Sequence, residues 1–180
     1  QEQSEKMLGD IYRKMDQTDS AIQHYNNAIS INKNYSKAHY SLGTILLNNG
    51  ALTEAHKELN AAIMIDHNYE KAYIALGKVE QELGSLDLAI VNYIKATEIA
   101  PKLYDVHYRL ASVYNIKKQY EDAKISAKNC LNIKRNYAPA YFELGVSEKA
   151  MGNKIAATNA FENAKKDQNW RKSAQFELDM

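Results

Sequence analysis

Residues 70–103 read EKAYIALGKVEQELGSLDLAIVNYIKATEIAPKL. Tyr73, Leu76 and Gly77 belong to a first apolar set at helical spacing, Gly84 breaks it, and Ala89, Tyr93 and Ala96 belong to a second set. The stretch therefore reads as two helices joined by a short turn. Shifting the chain against itself by 34 residues repeats the pattern: Leu8, Leu42, Leu76, Leu110, Leu144 and Leu178 share a column, and the next holds Gly9, Gly43, Gly77, Ala111 and Gly145. A third column reads Ala21, Ala55, Ala89, Ala123 and Ala157, and a fourth reads Ala28, Ala62, Ala96, Cys130 and Ala164.

The small columns carry a steric instruction. Gly or Ala on the facing sides of two helices lets their backbones approach closely, and large residues such as Tyr12, Tyr25, Tyr93, Tyr114 and Phe161 fill the gaps between neighbouring helices. One hairpin cannot bury both of its apolar faces, so stability has to come from stacking successive hairpins. Gly50, Gly84 and Gly152 stand where a first helix must end in left-handed backbone, with Asp16 and Lys118 in the same column. Thr53 and Asp87, with the charged Asp19 and Glu121 in their column, are the expected caps of the second helices.

Composition agrees with an all-helical chain and narrows its chemistry. Of the 180 residues, 45% are hydrophobic and 25% charged, and no proline occurs before Pro101. The formal net charge of +1 provides no whole-chain field to attract nucleic acid or an anionic membrane, so recognition has to be local. No apolar run approaches the roughly 20 residues of a membrane span. The single cysteine, Cys130, has no internal disulfide partner, which fits a reducing compartment such as the cytoplasm. The chain starts in helical pattern without Met and ends in another helical segment, and reads as a piece of a longer protein.

These columns resemble the tetratricopeptide repeat, whose pattern is a Leu-Gly pair, a Tyr three residues later, then Ala, an aromatic, Ala and Pro. Leu8, Gly9, Tyr12, Ala21, Tyr25 and Ala28 match it in the first unit, Tyr73, Leu76, Gly77, Ala89, Tyr93, Ala96 and Pro101 in the third, and Tyr141, Leu144, Gly145, Ala157, Phe161 and Ala164 in the fifth. The fourth unit departs at Ala111, Ala127 and Cys130, and four units lack the closing Pro. The resemblance implies an all-α, right-handed superhelical solenoid forming a single domain. Its repeats fall at approximately 2–35, 36–69, 70–103, 104–137 and 138–171, and 172–180 forms a capping helix or the start of a sixth repeat.

The same resemblance implies a concave side lined by the first helix of each repeat. Positions three before and one after the Gly column, with their neighbours, give a partner-binding groove of Tyr40, Thr44, Lys71, Ile74, Lys78, Tyr108, Arg109, Ser112, Phe142 and Val146. Tyr40, Ile74, Tyr108 and Phe142 form a row expected to point away from the core, either as pockets for apolar side chains or as rings half-buried against the next repeat. Further groove candidates include Lys6, Asp10, Arg13, Lys37, Asn48 and Asn115, and basic residues outnumber Asp10, Glu82, Asp105 and Glu143 there. A clamp for a terminal carboxylate, as in some chaperone-binding members, would start at Lys6 but meets Asp10 and Ser41 where Asn is expected.

No phosphate-binding glycine loop, nucleophile motif or metal motif occurs, so the sequence offers no catalytic, cofactor or metal residue. His39 and His107 share a column but lie two repeats apart, too far to share one ion. The leading expectation is a non-enzymatic scaffold that binds a protein or peptide, without nucleic acid and without membrane insertion. The alternatives are a self-assembling module that stacks end to end or face to face as a homo-oligomer, and docking of another domain in cis.

Overall fold

The computed structural model describes residues 1–180 as eleven α-helices with no strand. The chain divides into two compact units, Gln1–Ile99 and Ala100–Met180. The first unit holds three hairpins: α1 (Glu2–Lys14) with α2 (Thr18–Ile31), α3 (Ser36–Asn48) with α4 (Leu52–Ile65), and α5 (Glu70–Glu82) with α6 (Leu86–Ile99). In the second, α7 (Tyr104–Ile116) pairs with α8 (Tyr120–Ile133), α9 (Ala138–Ala150) pairs with α10 (Lys154–Ala164), and α11 (Arg171–Asp179) packs on α10. The all-α class of tandem helical hairpins expected from the repeat is the class found.

The glycine column works by admitting a ring. A Cβ on Gly9 would lie 2.6 Å from the Tyr25 ring, one on Gly77 2.6 Å from the Tyr93 ring, and one on Gly145 2.5 Å from the Phe161 ring. Gly43 meets Leu59 in the same way, at 2.7 Å. Tyr25 and Tyr93 are fully buried as a result. The fourth repeat has Ala127 at the ring position and Ala111 at the glycine position, and both are fully buried. Its departure from the family pattern is thus a paired exchange: a smaller partner on one helix leaves room for a methyl on the other.

Within each unit, the first helix of one hairpin packs on the second helix of the preceding one. Leu42 and Ile45 of α3 join Ala21 and Tyr25 of α2, while Ala75, Leu76 and Val79 of α5 join Ala55 and Leu59 of α4. In the second unit, Ala157, Phe161 and Ala164 of α10 cluster with Ala174 of α11. Leu8 occupies the column of Leu42 and Leu76, yet it is 38% exposed against their 4%. Met7 and Ile11 are exposed on the same helix, and Met15 just beyond its end.

The turns end the first helices as the Gly column predicts. Gly50, Gly84 and Gly152 have φ of 75°, 79° and 81°, and Asp16 and Lys118 adopt φ of 58° and 61° without being glycine. At Gly50 the amide donates to the Leu47 carbonyl and the next amide, of Ala51, reaches back to Leu46, which closes the helix end with two hydrogen bonds. Gln119 reaches Tyr114 in the same way after Lys118. The expected caps need correction. The residue before α4 is Ala51, so Thr53 lies inside the first turn and makes no capping bond. Asp19, Asp87 and Glu121 are likewise first-turn residues, where their charge opposes the positive end of the helix dipole instead.

Three histidines of the first unit bind carboxylates across helices: His24 to Glu5 at 2.8 Å, His39 to Glu58 at 2.7 Å and His56 to Glu80 at 2.8 Å. The first two pairs occupy the same two columns with the residues exchanged. At buried His39, Nδ1 faces Glu58 and Nε2 faces the Lys33 carbonyl at 3.0 Å. Neither a carboxylate nor a carbonyl can donate, so both ring nitrogens carry protons and the imidazolium is the form that fits. Its pKa is raised above the ordinary histidine value, first by the Glu58 hydrogen bond, against desolvation and with help from Lys33.

Three outcomes follow from this packing. Gly77→Ala should destabilise the protein by about 2 kcal/mol, and a double-mutant cycle in urea should return most of that loss in a Tyr93→Ala background. Lys118→Gly should raise stability by about 1 kcal/mol by relieving left-handed strain, read as a higher Tm. Because the His39 pKa is raised on folding, its pair stabilises fully below the ordinary histidine range, and the contribution fades as pH rises through the folded value. The Tm difference between the native protein and His39→Ala should therefore be larger near about pH 6 than near about pH 9. A difference independent of pH would show that His39 acts only by packing.

Candidate functional site

In the first unit, the inner faces of α1, α3 and α5 are what the packing columns leave over. Burial of Ala38, His39, Ser41, Leu42, Ile45 and Leu47 leaves Tyr40, Thr44 and Asn48, four residues apart, on one face of α3. Across them, Lys6, Asp10 and Arg13 come from α1, and Tyr69 and Lys71 from the start of α5. Together with Lys37 they enclose a cavity of about 460 Å³. Tyr40, Thr44 and Lys71 of the expected groove meet here. Ile74 and Lys78 do not line this cavity. Ile74 is half-buried, and Lys78 lies 3.9 Å from Glu82 along its own helix.

The cavity is basic. Lys6, Arg13, Lys37 and Lys71 face one carboxylate, Asp10. That carboxylate is already engaged, because Lys6 donates to it at 2.6 Å and the Tyr25 hydroxyl donates at 2.9 Å. Burial first, and Asp10 second, push the Tyr25 hydroxyl up to about 12. The tyrosine therefore stays a neutral donor holding Asp10 in place. Lys37 and Lys71 are both exposed, with nothing neutralising them.

The row at Tyr40, Ile74, Tyr108 and Phe142 is half-buried, the second of the two arrangements expected for it. At Tyr40, Tyr108 and Phe142 the cause is a ring from the segment that leads into the next helix. Tyr69 leans on Tyr40 at a centroid distance of 5.0 Å, and Tyr137 meets Tyr108 edge-on at 5.7 Å. Phe142 is held between Phe161 at 5.6 Å and Trp170 at 5.0 Å. Tyr35, Tyr69 and Tyr137 stand 34 and 68 residues apart, so this packing column carries the same period as the others.

In the second unit, Arg109 and Ser112 lie on α7 and are partly buried, and Val146 on α9 packs at the edge of the cluster that includes Phe161. Asn115 donates to the Glu143 backbone carbonyl at 2.9 Å and to its carboxylate at 2.8 Å, tying α7 to α9. Glu143 is buried, so it does not belong among the solvated acidic groups of the groove. Desolvation raises its pKa, partly offset by hydrogen bonds from Asn115 and Ser112. Cys130 fills its small buried slot, and burial pushes its thiol up to about 11, which leaves almost no thiolate at neutral pH. No group of three or more His, Cys, Asp and Glu side chains converges to hold a metal ion, and no helix is long and apolar enough to cross a membrane.

Known proteins place this framework. The sequence pattern of the TPR repeat matches residues 9–50, and that of the tetratricopeptide repeat matches residues 70–103 and 104–137, together more than half of the chain. No curated protein matches the sequence. Among solved structures, MamA is similar with a TM-score of 0.86 at 22% identity, over 92% of this chain and 90% of its own. YrrB, described as a TPR protein with an unusual peptide-binding site, is similar with a TM-score of 0.87 at 15% identity, over 98% of this chain and 91% of its own. A thermophilic TPR protein of Thermus thermophilus matches over 100% of both chains with a TM-score of 0.68 at 20% identity. At these identities the likeness concerns the fold, and with the matched repeats it makes this chain a member of the tetratricopeptide-repeat family.

Proposed function

We propose that the chain is a single tetratricopeptide-repeat domain that acts as a non-catalytic scaffold, binding an extended peptide segment or partner subunit along the inner faces of its first helices. The observation that carries this reading is the first-unit cavity, with four cations, one already neutralised carboxylate and a half-buried tyrosine floor. A peptide presenting an acidic side chain next to an apolar one suits it, with the acid between Lys37 and Lys71 and the apolar group against Tyr40. The wider groove of Thr44, Ile74, Lys78, Tyr108, Arg109, Ser112, Phe142 and Val146 extends the same reading.

Self-association is the second reading, favoured by the apolar face of α1. Met7, Leu8 and Ile11 are exposed there, with Met15 just beyond the helix end, although Leu42, Ile45, Leu76 and Val79 are buried in the Leu8 and Ile11 columns. A second copy covering that face would bury it.

Fluorescence anisotropy with labelled peptides of alternating Glu and Leu, against their Lys and Leu counterparts, tests the first reading. The acidic peptide should bind preferentially. Lys37→Glu with Lys71→Glu should weaken it by about tenfold or more, and affinity should fall as salt rises. Equal affinity for both peptides, or indifference to charge reversal, would remove the acidic-peptide reading. For the second, sedimentation velocity should register association that Leu8→Asp with Ile11→Asp abolishes; a monomer at every concentration would exclude it.

A further inference from the structure

In the second unit, three aromatic rings converge where α7 begins and α8 passes into α9. Tyr104 is the first residue of α7, Tyr137 immediately precedes α9, and Tyr108 lies one helical turn beyond Tyr104. The Tyr104 and Tyr137 rings meet edge-on, with centroids 5.1 Å apart and planes at 75°, and Tyr137 meets Tyr108 at 83°. Into the corner between Tyr104 and Tyr137 the chain inserts its own Lys134. The ammonium sits 4.3 Å from the Tyr104 ring centre and 4.8 Å from that of Tyr137, and donates to the Tyr104 hydroxyl at 3.1 Å.

We infer that this corner is a binding site for an alkylammonium cation, such as the lysine or methylated lysine side chain of a protein partner, and that Lys134 is its built-in competitor. Two rings near a right angle offer negative π faces to a compact, roughly spherical cation. A guanidinium, being planar, is better served by a parallel ring face, so the corner selects ammonium over guanidinium. Lys134 is well suited to withdraw. It is exposed, it follows the last turn of α8 in extended backbone, and its ammonium can return to water while its backbone stays in place. The tyrosines cannot follow it, because Tyr137 is held by Tyr108 and Tyr104 by its place in α7. The corner is therefore preformed, and an incoming cation has one flexible side chain to displace. Its ligand is of opposite charge to that of the first-unit cavity, so this site stands or falls independently of that one.

Tetramethylammonium is a suitable probe because it has no hydrogen-bond donor and reports the rings alone. Its methyl resonance, followed by saturation-transfer NMR on the 180-residue chain at constant ionic strength, should show contact with tyrosine protons. Lys134→Ala should tighten binding by about threefold or more by removing the competitor. In that background Tyr104→Phe should retain binding and Tyr104→Leu should lose it, with circular dichroism confirming that each variant is folded. Guanidinium should compete poorly, and an acetylated trimethyllysine amide should compete well. Absence of contact in the Lys134→Ala protein, or equal binding by its Tyr104→Leu and Tyr104→Phe forms, would overturn the site and leave Lys134 as an internal staple of the junction.

Discussion

A ring pressed onto a helix that lacks side chains at the point of contact is the constraint on which the first, third and fifth hairpins depend. Gly9, Gly77 and Gly145 each leave less than 3 Å between an imagined Cβ and a ring carbon of the second helix. That distance leaves no slack, so the interhelical spacing is set by the ring's thickness instead of by interdigitating side chains. Each of these three hairpins gives up helix propensity at glycine, on the order of 1 kcal/mol, and recovers more by burying the whole aromatic face. Once the two backbones are locked together, the Leu columns fall in register for the next hairpin, which is how a local contact sets a periodic structure.

This constraint explains why so much of the fold is legible in residues alone. Two columns 16 residues apart are coupled by size: Tyr, Phe or Leu on the second helix requires glycine opposite it, whereas Ala127 leaves room for the methyl of Ala111. The left-handed turn is equally legible, because Asp16 and Lys118 adopt it by position even without glycine's freedom. The His–Glu columns obey the same logic in charge: Glu5 with His24 and His39 with Glu58 place a carboxylate and an imidazole in one slot, in either order. Looking down one column at a time hides that exchange, since each column alone mixes an acid with a base.

The features that residue patterns do not announce have a common cause. Residue preference points to caps at Thr53 and Asp87, but the closing bonds of the preceding helix already fix the turn and leave Ala51 before α4, so preference has no position to act on. The outward reading of the row, one of two the sequence allows, follows from subtracting the packing columns from the first helices. That subtraction ignores the junction segment, where Tyr69, Tyr137 and Trp170 supply rings from outside both helices of a hairpin. Glu143 reads as solvated because a carboxylate in a groove position usually is. Its burial depends on Asn115, 28 residues away on α7, a partner no local pattern announces.

Function in such a framework has to reside where the columns do not. A near-neutral chain offers no long-range attraction, so selectivity depends on short-range contrasts at positions free of packing duty. Lys37 and Lys71 occupy such positions: each is exposed on a first helix whose opposite side is fully committed to the core. Their charge can change without disturbing any glycine–ring contact. Tyr40 and Tyr108 are different, because the same ring faces a neighbour on one side and the open surface on the other. On the proposed reading, a substitution there alters recognition and packing together. Charge therefore is the freely adjustable variable in this protein and aromatic surface the constrained one, so the proposed ligand should be sought first by its charge.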